Sequence, residues 1–189
     1  MTKKILVALI LLSSLTLSAQ TTKEPNCKKL IAKGYTQTFC DYDKKYAFKT
    51  IPLESNFEFV SKKCDLKKDI SNPYHFETTD DKLKFWGGVS FDKCMFDFSA
   101  NDKLDGVQLL LTVQTIGPGG PTDIKVNIEK MEKIKSYLIT MFGQPFDNTV
   151  GKNLVWYGEN ITVYLTSNFS DGLGSVAIYR TNMKMTDDL

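Results

Sequence analysis

The sequence predicts an α+β protein: a single antiparallel β-sheet with about two helices packed on one face. One observation is Ile124 to Phe142, where Ile124, Ile128, Met131, Ile134, Leu138 and Phe142 recur every three or four residues, the helical period. A second is a set of shorter segments that alternate in steps of two, the mark of antiparallel strands with one face on a core. A third is the turn chemistry between them, such as Gly158-Glu159-Asn160 and Ser170-Asp171-Gly172. With 42% hydrophobic and 24% charged residues in 189, the composition is that of a globular chain and excludes disorder, collagen and coiled coil.

The first residues read as a secretory signal peptide over 1–19. Lys3 and Lys4 give a positive start, Ile5 to Leu12 is unbroken apolar, and Ser18-Ala19 supplies small residues for cleavage before Gln20. The run is too short for a membrane span, and no later run is long enough. The next cysteine, Cys27, lies too far on for a lipid-anchored precursor. The chain is therefore expected to be exported, secreted or periplasmic, with no transmembrane segment after cleavage.

Residues 20–45 read as an irregular, lysine-rich segment holding Cys27 and Cys40. Residues 46–183 form the single α+β domain, and 184–189 a short polar tail. Four cysteines in an exported chain imply disulfides. Of three pairings, Cys27–Cys40 and Cys64–Cys94 are preferred as nearest in sequence. No Cys-x-x-Cys pair occurs and His75 is the only histidine, so no metal site is expected.

A short helix is expected over Leu53 to Lys63, with Phe57 and Val60 inward. Cys94, Phe96 and Phe98 alternate with Met95 and Asp97, and Val107, Leu109, Leu111 and Val113 with Gln108, Leu110, Thr112 and Gln114. The intervening Asn101 to Gly106 fails the calcium-loop pattern, because Lys103 stands where a ligand is needed, and reads as a hairpin turn. Gly117-Pro118-Gly119-Gly120-Pro121 reads as a rigid connection into the main helix, with Asp123 as N-cap. Gly143 and Pro145 stop that helix. Leu154 to Tyr157, Ile161 to Leu165 and Ser175 to Arg180 give three more strands. The order admits a degenerate duplication, one helix followed by about three strands, twice.

Phe142-Gly143-Gln144-Pro145 followed by Trp156 resembles small bacterial secreted inhibitor and envelope-assembly modules, in which a helix ending in Gly-x-Pro precedes a Trp-bearing strand. The resemblance implies an interaction module and assigns no functional residue.

Charge narrows the partners. After signal removal 22 basic and 22 acidic residues remain, and Arg180 is the only arginine. Nucleic-acid domains carry a basic excess rich in arginine, so no nucleic-acid partner is expected. No catalytic motif appears: His75 lacks a Gly-x-Ser-x-Gly elbow to serve, and the acidic pairs Asp80-Asp81 and Asp187-Asp188 are sequence neighbours, which on a strand point to opposite faces. No cofactor motif is present. Tyr157, Tyr164 and Tyr179 share one sheet face if the registers agree, and form the candidate binding surface, since aromatic residues concentrate at contact hot spots. The function expected is a non-enzymatic protein-binding module of inhibitor, immunity or envelope-assembly type. The alternatives are a secreted hydrolase using His75 or scattered carboxylates, and a binder of a small apolar ligand.

Overall fold

The computed structural model describes residues 24–70, 72–112, 120–148, 153–168 and 173–181. The expected signal peptide, the expected polar tail and most of the Gly117–Pro121 connection lie outside these.

The chain opens with α1 (Cys27–Ala32) and α2 (Gln37–Lys45), then a ribbon of β1 (Ala47–Phe48) and β2 (Ile51–Pro52). Next come α3 (Phe57–Lys63), β3 (Leu66–Lys68), β4 (His75–Thr78), a second ribbon of β5 (Phe85–Trp86) and β6 (Val89–Ser90), β7 (Lys93–Phe98) and β8 (Leu104–Leu111). The long helix α4 (Gly120–Phe142) leads to β9 (Phe146–Asn148), β10 (Asn153–Tyr157), β11 (Ile161–Asn168) and β12 (Leu173–Arg180). The fold is α+β with a mainly antiparallel architecture, as expected, but it has four described helices and two small ribbons beside the main sheet.

Of the segment 20–45 expected to be irregular, the described residues 24–45 hold α1 and α2. Both helices are short, but each is capped. Asn26 accepts the Lys29 amide at 3.1 Å and Thr36 the Phe39 amide at 3.1 Å, each satisfying a donor that the first turn leaves free. The Cys27–Cys40 disulfide joins the two helices, and closing so short a loop contributes about 3 kcal/mol in the chain-entropy picture. Leu30, Phe39 and Cys40 enter the core. The helix expected from Leu53 begins later, at Phe57, because Asn56 caps it by accepting the Phe59 amide at 2.9 Å.

The second expected disulfide, Cys64–Cys94, is not formed; both are buried thiols. Each is held by its own element. The Cys64 amide ends α3 by donating to the Val60 carbonyl at 2.9 Å, and Cys94 sits in β7 opposite Leu109. Both act as small apolar core side chains.

The main sheet has eight antiparallel strands in the order β3-β4-β7-β8-β12-β11-β10-β9. The order is symmetric about its middle: α3 precedes a meander of β3, β4, β7 and β8, and α4 precedes one of β9 to β12. Four strands follow each helix, not three. The meanders join where β8 pairs with β12, Leu109 opposite Val176 and Val107 opposite Ile178.

One face of this sheet packs on the helices. Cys94, Phe96, Phe98, Val107, Leu109, Leu111, Trp156, Ile161, Val163, Leu165, Val176 and Ile178 point there. They form one cluster with Leu30, Phe39, Val60, Met131, Ile134, Leu138 and Phe142 from all four helices. The Gly-x-Pro stop read in the sequence has a physical role. Gly143 adopts a φ of 89°, where a side chain would strike the Gly34 carbonyl, and its own carbonyl accepts the Trp156 indole N–H at 2.9 Å.

Candidate functional site

The residues of opposite parity form the other face of the sheet, on which no described helix packs. Register places them in rows. One row crosses from His75 through Asp97, Gly106, Tyr179 and Thr162 to Tyr157. The next runs from Glu77 through Met95, Gln108, Ala177, Tyr164 and Val155 to Phe146. Tyr157, Tyr164 and Tyr179 thus lie on one face.

The three tyrosines differ in what they can do. Tyr157 is exposed near the sheet edge, its ring 5.9 Å from that of Phe146, which is also exposed. Tyr164 is half-buried and meets the Tyr179 ring edge-on at 6.2 Å, an arrangement the ring quadrupoles favour. Tyr179 is committed to neighbours. Its hydroxyl donates to Asp97 Oδ2 at 2.6 Å, and the Gln108 side-chain amide donates to the same oxygen at 2.8 Å and to the tyrosine hydroxyl at 2.5 Å. Burial, and then the adjacent carboxylate, push the Tyr179 hydroxyl well above the ordinary phenol range, so it stays a donor.

Gly106 makes this geometry possible. It stands directly opposite Tyr179, and a Cβ there would collide with the Tyr179 ring. Without one, the ring crosses β8 to reach Asp97 on β7. His75 completes the cluster. Its Nε2 lies 3.5 Å from Asp97 Oδ1 and 3.2 Å from the Asn72 side-chain amide nitrogen. Among the described residues no hydroxyl or thiol hydrogen-bonds to the His75 ring.

Asp97, Gln108 and Gly106 were not among the expected site residues. The available signal was a lone acid among the Cys, Met and Phe residues that follow Lys93 in β7. Its partners come from three other strands and depend on register.

Beyond the sheet face, Lys33, Tyr35, Gln144, Pro145, Phe146 and Tyr157 line an open cleft of about 490 Å³ at the β9–β10 edge. Its floor is braced by the Tyr157 amide, which donates to the Tyr35 hydroxyl at 3.1 Å. Phe85, on the β5–β6 ribbon, is exposed, while Trp86 packs against Tyr42, Phe48, Tyr137 and Phe142. Among the described residues no group of three or more His, Cys, Asp or Glu side chains could hold a metal ion, and no helix is long and apolar enough to cross a membrane. No protein-family model matches this chain, and neither does any curated protein or solved structure.

Proposed function

We propose that this is an exported, non-enzymatic protein-binding module, of inhibitor, immunity or envelope-assembly type, that docks its partner on the sheet face bearing Tyr157 and Tyr164. The observation that carries the reading is the asymmetry of the sheet: all four described helices share a core with one face, while the other presents Phe146, Tyr157 and Tyr164 around a polar cluster. Antiparallel sheets commonly pack one face on the core and leave the other to solvent, and tyrosine supplies large contact area at low entropic cost. The Cys27–Cys40 disulfide is consistent with an oxidising compartment, as is the leader-like start of the chain.

The test is capture from an envelope and secretome extract, read by mass spectrometry, with the oxidised wild type beside a Tyr157→Ala/Tyr164→Ala double variant. The expected result is one stoichiometric protein held by the wild type and lost by the variant, with unfolding midpoints that agree. A partner held equally by both would place docking elsewhere. A clean blank would count against the interaction reading and favour a small ligand in the cleft beside Tyr35 and Phe146.

A further inference from the structure

The open cleft of about 490 Å³ lies where the N-terminal helices meet the β9–β10 edge, and it falls within the size range of small-molecule sites. Rigid parts hold both of its sides. The Cys27–Cys40 disulfide ties α1 to α2, and Gly34, at a φ of 90°, turns the chain between Lys33 and Tyr35. Tyr35 pairs with Gly143 just past α4, and its ring meets that of Phe39 edge-on at 4.8 Å. The donors of the cleft lack acceptors. Tyr35 is 7% exposed, and its hydroxyl accepts the Tyr157 amide at 3.1 Å. The hydrogen of that hydroxyl meets no acceptor among the described residues, so it is left to a group entering the cleft. Lys33 is exposed and forms no ion pair among the described residues, and none of the six lining residues is acidic. The opposite wall is apolar: Phe146 and Tyr157 are 61% and 38% exposed, with ring centres 5.9 Å apart.

We infer that this cleft binds a small aromatic acid, its carboxylate accepting from the Lys33 ammonium and the Tyr35 hydroxyl and its ring lying against Phe146 and Tyr157. Charge and shape select the class. A cationic ligand would meet Lys33 with like charge and find no carboxylate in the lining. A neutral sugar would draw little from the lysine, whereas a carboxylate accepts through charge-assisted bonds, about twice as strong as neutral ones. An aliphatic acid lacks the flat face that packs on aromatic rings. The cleft borders the docking face only at Phe146 and Tyr157, and its ligand does not depend on what docks there.

The probe is phenylacetate, titrated into the full oxidised protein and followed by the NMR signals of the Tyr157 backbone amide and the Tyr35 ring. Its controls are phenylacetamide, which keeps the ring and loses the charge, and acetate, which keeps the charge and loses the ring. The expected result is saturable shifts at both residues with phenylacetate, and binding weaker by about tenfold or more for each control. Lys33→Gln, at an exposed position, should keep the fold and abolish the preference for phenylacetate over phenylacetamide. Tyr35→Phe should weaken phenylacetate more than phenylacetamide. If Tyr35→Phe fails to fold, Lys33→Gln and the wild-type comparison decide. No saturation by about 10 mM, where a ligand of this size should already be bound, would overturn the site. So would equal binding of phenylacetate and phenylacetamide, or shifts that map away from Tyr157 and Tyr35. A captured protein partner that is lost in Lys33→Gln would give the cleft to an acidic group of that partner and overturn its assignment to a free acid.

Discussion

Asp43 is fully buried in α2 and accepts three backbone amides from the turn between β10 and β11: Glu159 at 3.0 Å, Asn160 at 2.9 Å and Ile161 at 2.9 Å. One side chain thus fastens an N-terminal helix to a hairpin far along the chain. Gly158 leaves room for it, since a Cβ there would overlap the Asp43 carboxylate. Asp43→Ala would strand these donors in the interior, at a cost of about 3 kcal/mol or more; a loss of unfolding free energy in urea smaller than about 1 kcal/mol would contradict the clamp. Cys94 makes a second residue-scale case. Burial pushes its thiol from near 9 up to about 12. At pH 8 only about one thiol in ten thousand is then ionised, so a disulfide reagent should leave Cys94 untouched in the folded protein and label it rapidly once denatured. The sign for stability follows. The folded state holds this proton more tightly than the unfolded chain, so the contribution is complete below pH 9 and is lost as pH rises toward 12, by about 4 kcal/mol at most. A denaturation midpoint flat across that interval would refute the burial argument.

Among elements, α4 was legible because a long run of helical period outweighs local ambiguity. The strands β7, β8, β10, β11 and β12 were legible because their core-facing residues recur in steps of two. The helices α1 and α2 were not, because six and nine residues hold too few turns to display a period, and what secures them is the disulfide, the caps and the core. The two-residue strands β5 and β6 carry no alternation at all. The tyrosine row could be read from step-two spacing, whereas the Asp97 cluster could not, since it depends on β7, β8 and β12 meeting in one register and on Gly106 having no side chain. That dependence is testable at the level of strand pairing. In Gly106→Ala the methyl must displace the Tyr179 ring, breaking the hydroxyl bond to Asp97 at a cost of about 1–3 kcal/mol. The Tyr179 ring resonances should move while amide exchange in β10 and β11 stays unchanged. An unmoved ring would show that the strands, not the glycine, set its place.

At the scale of the whole molecule, the symmetric strand order invites the idea of two independent halves, and the packing argues against it. The two meanders share hydrogen bonds along β8 and β12 from Gly106–Tyr179 to Leu111–Gly174, and their buried side chains form one cluster. Phe142 at the end of α4 sits at the centre. Its ring lies 5.2 Å from Phe39, 5.2 Å from Tyr42, 6.4 Å from Trp86 and 6.2 Å from Trp156. The two tryptophans therefore report from opposite halves of the sequence on a single aromatic knot, which makes cooperativity measurable. Trp86→Phe and Trp156→Phe leave one fluorophore each, and in each variant the fluorescence midpoint in urea should coincide with that from far-ultraviolet circular dichroism, the signature of a two-state transition. Phe142→Ala, which removes contacts to both halves at once, should lower both midpoints together, at a stability cost of about 3–5 kcal/mol. Two separated transitions, one reported by Trp86 and the other by Trp156, would mean that each meander folds on its own and that the β8–β12 seam is an interface between domains.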